Sequence, residues 1–553
     1  MAIPFPDRRE QMFPTLTEAQ IARIAKIGQP REVRSGEVLI ERGDQNTTFF
    51  VVVRGALEIV RPVQDKEEQV TVHQPGGFTG EMNMLSARRS LVRCRVVADG
   101  SLVALDHDHL RTLVQRDSEL SEIILRAFIL RRVALAAQDN NDMILLGSRH
   151  SAATLRLKEF LSRNGQPFTY QDVETEPGVQ ALVDRFQISV NEIPVVLCES
   201  GYVLRNPTIQ ALASKLGLSP NLDPKTLRDV VIVGAGPAGL AAAVYAASEG
   251  LDVLVLESTA PGGQAGTSSR IENYLGFPTG ISGQDLAERA QMQAEKFGAD
   301  VAIARTAVRL ECDQRPFSVH LSDGEVVHTK SIVVATGARY RRLALPELGR
   351  FEGAGVFYSA THLESQMCEN EDVVVVGGGN SAGQAAVFLS QAAKRVYMLV
   401  RGKSLAESMS QYLIQRIENG PNVSLRTRTE IVRLEGADRL EGIRWQHVET
   451  GQEETHPIRN LFVMTGADPN TAWLDGCARL DDKKFVKTGA DLQVDELTEA
   501  HWPLTRRPYL LESSIPGVFA VGDARAESVK RVAAAVGEGS ICVQLIHRVL
   551  QEM

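Results

Sequence analysis

Unbroken apolar runs of four residues recur through the C-terminal part of the chain: Val230–Val233, Val253–Leu256 and Val373–Val376. Runs of that length, bounded by glycine-rich turns, read as strands buried on both faces of a parallel sheet. Alanine-rich stretches between them read as helices, so from Asp229 onward strand, glycine turn and helix alternate, the pattern of a doubly wound sheet. The same device, strand then glycine turn then helix, occurs twice, at Val230–Ala247 and Val373–Gln391. The N-terminal texture differs. Residues 31–106 carry short alternating strands punctuated by Ser35-Gly36-Glu37, Arg42-Gly43-Asp44, Arg54-Gly55-Ala56 and Pro75-Gly76-Gly77. This spacing predicts a small antiparallel barrel or roll, with a turn at Gly55 between Phe49–Val53 and Leu57–Val60. Leu120–Ala137 then places Ile123, Ile124, Ala127, Phe128 and Leu130 at helical spacing, an amphipathic helix suited to packing on the roll. Between these regions lies a small α/β unit: strands at Met143–Leu146, Phe168–Val173 and 193–197, and helices at Thr154–Asn164, Gly178–Phe186 and Thr208–Leu216. Pro220, Asn221, Asp223 and Pro224 form a polar, proline-flanked linker. The expected fold class is multidomain α/β and α+β, with segments at 1–140, 141–224 and 225 to the end.

Composition narrows the function. The 553 residues carry a net charge of −9, which argues against a general nucleic-acid binder. A hydrophobic content of 43% is enough for several packed cores and excludes wholesale disorder. No run of about 18 apolar residues predicts a membrane span. The opening MAIPFPDRREQMFP has no apolar core of a secretory signal, so the expected location is the cytoplasm. The six cysteines are Cys94, Cys198, Cys312, Cys368, Cys477 and Cys542, and no two form a C-x-x-C. That excludes a sequence-local dithiol and a zinc knuckle; neither a disulfide framework nor a metal is expected.

Candidate chemistry begins at the glycine turns. In the first, Gly234-x-Gly236-x-x-Gly239 follows a strand and opens a helix, and Glu257 ends the next strand 18 residues past Gly239. The first glycine allows the tight turn, the second lets a pyrophosphate approach, and the third lets helix and strand pack closely. An acid at that distance is placed to accept from a ribose hydroxyl. In the second, Gly377-x-Gly379-x-x-Ala382 follows Val373–Val376, and the next strand ends in Val400-Arg401 with Lys403 beyond. Cations at that place attract a 2′-phosphate and favour NADPH over NADH; the alternative is that Arg401 and Lys403 are solvated surface charges.

Two dinucleotide sites in one chain let a hydride pass between bound nucleotides. With Gly262-Gly263-Gln264, Ile271-Glu272-Asn273-Tyr274, Ala335-Thr336-Gly337-Ala338, Thr465-Gly466-Ala467 and Gly517-Val518-Phe519-Ala520-Val521-Gly522-Asp523, residues 228–553 resemble thioredoxin reductase and related pyridine nucleotide–disulfide oxidoreductases. The resemblance implies FAD in a domain built from 225–345 and 468–553, NADPH in an inserted domain at 346–467, and a homodimer. Carried over by motif, the FAD contacts are Gly234, Gly236, Gly239, Glu257, Gln264, Asn273, Thr336, Gly337, Gly522 and Asp523. Asp523 would accept from a ribityl hydroxyl, a helix cap being its alternative role. Arg531 and Ala533 open the last helix, whose N–H groups would face the flavin's pyrimidine edge. The chain departs from the family where the redox C-x-x-C belongs: Val356-Phe357-Tyr358-Ser359-Ala360-Thr361-His362 puts Ser359 and His362 at the two cysteine positions. Neither side chain reduces a disulfide. His362 is a candidate acid/base group, since imidazole titrates near neutrality; otherwise it only fills space.

Two further resemblances complete the picture. Gly76-Gly77-Phe78-Thr79-Gly80-Glu81-Met82-Asn83-Met84-Leu85-Ser86-Ala87-Arg88-Arg89-Ser90 resembles the phosphate-binding cassette of cyclic nucleotide-binding domains over about 13–135. It implies that Gly80 and Glu81 hold the ribose end and that Arg89, or Arg88, pairs with the cyclic phosphate of cAMP or cGMP. Leu91-Val92 replace the small and hydroxyl-bearing residues expected next, and a ligand-free roll is the alternative. Residues 142–218 resemble the thioredoxin/glutaredoxin fold, with Ile193-Pro194 at the cis-proline site and Ser151-Ala152-Ala153-Thr154 where the redox motif would be; this unit without a C-x-x-C is expected to dock or space. The resulting expectation is an FAD-dependent NADPH oxidoreductase, tuned by a cyclic nucleotide, with an electron acceptor other than a linked thioredoxin: a ferredoxin, flavodoxin, quinone or small molecule. The rival readings are disulfide reduction through an unforeseen thiol pair and a non-catalytic redox-sensing scaffold.

Overall fold

The structure is a computed structural model that describes residues 9–44, 47–63, 66–80, 84, 90, 92–136, 143–149, 151–174, 176, 179, 186–189, 192–198, 202–220, 222–268, 270–271, 274–352, 354–358, 360 and 362–552. It is a mixed α/β multidomain protein. At the N-terminus, strands Gln29–Val33, Arg93–Leu105, Phe49–Val63 and Lys66–His73 lie side by side in that order, all antiparallel, and Val38–Ile40 pairs with Arg93–Leu105. Gly55 is not the turn its flanking runs suggested. One strand passes straight through it at φ +90°, with register shifts on both sides. A Cβ there would lie 2.6 Å from the Ala98 carbonyl oxygen, so the glycine marks a bulge where two strands cross closely. Helices His107–Arg116 and Ser118–Ala136 follow, and the second buries Ile124, Ala127 and Phe128 in the roll as its spacing predicted.

The middle unit holds strands Thr169–Asp172, Met143–Gly147, Val195–Cys198 and Val203–Arg205 in that order; the first two are parallel, the others antiparallel. The Ile193–Pro194 bond is cis. Ser151 caps helix Ala152–Arg163 and Thr208 caps helix Ile209–Leu216. Most of the helix expected at 178–186 lies outside the described residues. This unit is no detached spacer: Leu145, Phe160, Leu212 and Leu216 share one continuous core with Val230, Ala246 and Ala294 of the next region.

That next region is a seven-stranded sheet in the order Asp300–Ile303, Val253–Glu257, Leu227–Val233, Val326–Val334, Phe317–Leu321, Ala307–Glu311. Val326–Val334 forks. Its first half pairs antiparallel with Phe317–Leu321, and its second half pairs parallel with Val518–Ala520, which brings the C-terminal segment back to the sheet. Helices Pro237–Ser248 and Val532–Glu552 pack against each other beside the sheet, where Gly539 meets the Ala238 carbonyl. A second, all-parallel sheet runs Val356–Phe357, Asn460–Val463, Asp372–Val376, Arg395–Val400, Val423–Thr427. Helices Asn380–Leu389 and Gln411–Glu418 cover one face, and the antiparallel strands Thr429–Glu435, Gly442–His447 and Glu453–His456 cover the other. A short antiparallel pair, Ala338–Tyr340 with Ala467–Pro469, joins the two sheets.

The structure adds one cysteine pairing that the sequence did not foresee. Cys312 and Cys477 form a disulfide across 165 residues of sequence. It fastens the end of strand Ala307–Glu311 to the turn after Ala472–Leu474, a proximity created by the sheet edge that sequence spacing does not reveal. Cys94, Cys368 and Cys542 are buried free thiols; desolvation raises the first two to about 12. Among the described residues no helix is long and apolar enough to cross a membrane, and no group of His, Cys, Asp and Glu is placed to hold a metal ion.

Candidate active site

Both glycine turns open onto one cavity of ≈ 1960 Å³. At the first, Gly236 is the N-cap of helix Pro237–Ser248 with proline at the first helical position, so unpaired N–H groups of the first turn point at the cavity. Gly234 and Gly239 are packed against protein: a Cβ on either would run into a backbone carbonyl, that of Ala335 or of Gly234. Gly236 is different. The nearest atom to a Cβ there is Gly263 Cα at 4.0 Å, and beyond it is open cavity. Glu257 is buried at the end of its strand. Its Oε2 accepts from the Ala235 N–H at 2.8 Å, and its Oε1 accepts from those of Thr259 at 2.8 Å and Ala260 at 3.2 Å. The backbone thus orients the carboxylate beside the glycine turn and leaves lone pairs for a hydroxyl.

Further along the wall, the Gln264 side chain donates to the Ala338 carbonyl. Asn470 pins the crossover, its N–H on the Gly337 carbonyl at 3.0 Å and its Nδ2 on the Thr336 carbonyl at 3.0 Å. The Thr336 hydroxyl on this wall is buried and has no partner among the described residues, an orphan that a bound group would satisfy. Asp523 sits on the short turn Gly522–Ala524; burial pushes its carboxyl above the usual value, with Lys530 opposing. The Gly522 N–H is already taken by Glu538 Oε2 at 2.7 Å. Helix Val532–Glu552 begins at the cavity, lined by Arg531, Val532 and Ala535; Ala533 is exposed and does not line it. These features fit a flavin dinucleotide: an open turn for a pyrophosphate, an oriented acid for a ribose, and unsatisfied polar groups where a ring would lie.

At the second turn Gly379 is the N-cap of helix Asn380–Leu389, and Ala382 is buried where the helix meets its strand. Like Gly236, Gly379 is open, with nothing nearer a Cβ than the Ser408 carbonyl at 3.9 Å. Arg401 lines the cavity, exposed and without an ion-pair partner among the described residues. Lys403 is exposed but off the wall. The turn is held from beneath by the Ser408 hydroxyl on the Gly378 carbonyl at 2.9 Å.

Where the family's C-x-x-C belongs, Ser359 lies outside the described residues, and His362 opens helix His362–Met367 with its side chain outside the description. Two groups unforeseen in the sequence line the cavity. The Tyr358 hydroxyl donates to Glu352 Oε1 at 2.6 Å, Arg342 pairs with Glu352 Oε2 at 2.7 Å, and burial raises the phenol to about 12. The outer face of helix Ala152–Arg163 is the second; only its i, i+3, i+4 spacing hinted at an exposed stripe. No cysteine is on the cavity wall among the described residues.

Asn273, Glu81, Arg88 and Arg89 lie outside the described residues. Gly80 is described: its carbonyl accepts from Arg131 Nη1 at 2.8 Å, and that guanidinium lies 4.8 Å over the Phe78 ring. Arg131 comes from helix Ser118–Ala136, so this helix and the cassette are tied directly.

The pattern of the family "Pyridine nucleotide-disulphide oxidoreductase" matches residues 228–539, and that of the "Cyclic nucleotide-binding domain" matches residues 30–117. The chain is 32% identical over 366 residues to NADPH-dependent thioredoxin reductase 3 of Arabidopsis thaliana, a match that spans 63% of this chain and 65% of that protein. It is 33% identical over 316 residues to the thioredoxin reductase of Mycolicibacterium smegmatis, spanning 57% of this chain and 94% of the relative. Among solved structures, Lactococcus lactis thioredoxin reductase in its FR conformation superimposes with a TM-score of 0.53 at 27% identity, over 59% of this chain and 100% of that one.

Proposed function

Since the chain belongs to the pyridine nucleotide-disulphide oxidoreductase family, we propose that it takes a hydride from NADPH onto FAD and passes electrons to an acceptor other than a C-x-x-C-linked thioredoxin. Thioredoxin reductase-type members of the family use FAD and NADPH. Bound in the cavity, FAD supplies a hydride acceptor that can hand on its electrons singly or in pairs. The protein's own part is to bind and orient. The helix N-terminus at Gly236 takes the pyrophosphate, Glu257 the adenosine ribose, Thr336 and Asp523 the flavin side, and the start of helix Val532–Glu552 the pyrimidine edge. In segment 346–467, the helix N-terminus at Gly379 takes the second pyrophosphate and Arg401 the 2′-phosphate.

The observation that carries this reading is the cavity wall: it joins both glycine turns and, among the described residues, holds no cysteine. The Cys312–Cys477 pair is off that wall, which supports an exit other than a thiol relay through it. A ferredoxin, flavodoxin, quinone or small acceptor fits such an exit, in a homodimer whose N-terminal roll, with Glu81 and Arg89, answers to cAMP or cGMP. Stopped-flow mixing with NADPH tests it. Bleaching of the flavin, with faster re-oxidation by one of these acceptors than by air, is the expected result. Bleaching with no acceptor that outpaces air supports the sensing scaffold instead, and efficient NADPH-driven reduction of a thioredoxin refutes the proposal.

A further inference from the structure

The middle unit, which has no C-x-x-C, lends one side of a helix to the dinucleotide cavity. In helix Ala152–Arg163, the side chains that line the cavity are Ala152, Leu155, Arg156, Glu159 and Arg163, spaced i, i+3, i+4, i+7 and i+11. That is one helical face. The opposite face buries Leu157, Phe160 and Leu161 in the core shared with the FAD region, and Thr154 is buried beside Gly147. The stripe is about 16 Å long at 1.5 Å per residue. Its C-terminal end is anchored beside the first glycine turn. Arg163 Nη2 donates to the Gly263 carbonyl at 2.9 Å, and Asn164 Nδ2 donates to the Thr259 carbonyl at 3.1 Å, two residues past Glu257. Gly263 is the residue that faces Gly236 across the open turn. The C-terminal end of the helix therefore lies where the acid-bearing strand stops, the adenosine end of a dinucleotide, and Arg156 stands on the same face about 10 Å back along the cavity wall. On it, Arg156 is exposed and has no hydrogen-bond or ion-pair partner among the described residues.

We propose that the middle unit is a cofactor-binding element, and that the Arg156 guanidinium contacts the adenylate half of FAD. The inference rests on the FAD reading of the first turn. A planar cation suits this place, because it pairs with phosphate and stacks on an aromatic base.

The test uses the full-length chain, deflavinated and titrated with FAD, with FMN, which lacks the adenylate, and with ADP as a competitor of FAD. Arg156→Ala is expected to weaken FAD and ADP by about tenfold or more and to leave FMN unchanged, while Arg156→Lys recovers part of the loss. Unchanged FAD and ADP affinity in Arg156→Ala overturns the proposal, as does an equal loss for FMN. If FMN binds too weakly to measure, the ADP competition decides alone. Gly236→Val separates this from the parent reading: a variant that keeps full flavin shows the first turn itself is misassigned. Loss of flavin in Gly236→Val with normal binding in Arg156→Ala defeats only the role of the helix.

Discussion

Two glycines three residues apart in the first turn should respond in opposite ways to the same added methyl group. At Gly239 a Cβ falls on the carbonyl oxygen of Gly234, well inside van der Waals contact, with Ala335 Cβ only 3.2 Å away. Neither neighbour is the end of a flexible side chain, so the helix must move off its strand. Overpacking of that kind costs about 1–3 kcal/mol, a drop of roughly 2–12 °C in melting temperature for a unit of this size. At Gly236 the backbone is extended, with φ −72°, and the nearest atom to a Cβ is 4.0 Å away. Gly236→Ala therefore costs the apo fold only the difference between glycine and alanine at an N-cap, about 1 kcal/mol or less. What it obstructs is the space a pyrophosphate would take. Differential scanning calorimetry of the deflavinated proteins, with the ratio of absorbance at 450 and 280 nm for the proteins as purified, separates the two effects. Gly239→Ala is expected to lower the apo melting temperature clearly, whereas Gly236→Ala keeps most of it and loses flavin. Equal destabilisation of the two apo proteins, or full flavin in Gly236→Ala, would refute the division of labour between packing and binding.

Other outcomes follow from the same geometry. Arg401→Ala should raise the Michaelis constant for NADPH by the loss of charge-assisted contacts, about 1.5–3 kcal/mol, and leave NADH little changed; equal losses in steady-state assays exclude a role in phosphate selection. Replacing both Cys312 and Cys477 by serine opens a crosslink that spans 165 residues. It should cost about 3–5 kcal/mol of stability in denaturant titrations without slowing flavin bleaching by NADPH; slower bleaching would put the pair on the electron path. Burial holds the Asp523 carboxyl above its usual value, so its protonated form favours the fold. That contribution is complete below the ordinary aspartate pKa of about 3.9 and is lost as pH rises through the raised value. Asp523→Asn should accordingly stabilise the deflavinated chain at pH 8 and have no effect near pH 3; a pH-independent difference contradicts this. A cyclic nucleotide at 100 times its dissociation constant should stabilise the N-terminal roll by about 2.7 kcal/mol, seen as a thermal shift with cAMP or cGMP but not AMP and abolished in Arg89→Ala; no shift at millimolar ligand means the pocket has lost its ligand.

Local pattern was enough to place the two glycine turns. The apolar runs Val230–Val233 and Val373–Val376 became strands with Gly236 and Gly379 as helix N-caps, because strand, turn and helix are neighbours in sequence and each is stabilised by its own residues. Glu257 was legible for the same reason: it ends the strand adjacent to the first. Local pattern failed at Gly55, where a positive φ reads equally as turn or bulge and only the crossing strand at Ala98–Gly100 decides. It also failed wherever the partners are far apart in the chain. The Cys312–Cys477 disulfide and the reach of Arg163 to Gly263 across 100 residues both depend on how sheets and helices dock. The sequence by itself determined that two glycine turns exist, each between a strand and a helix, and that no C-x-x-C lies between them. Only the tertiary structure decided that the turns share one cavity and that a helix of the middle unit lines part of it. The physical reason is that hydrophobic burial, which docked that helix through Leu157 and Phe160, acts on whole faces and carries no record in the chain of which distant face it will meet.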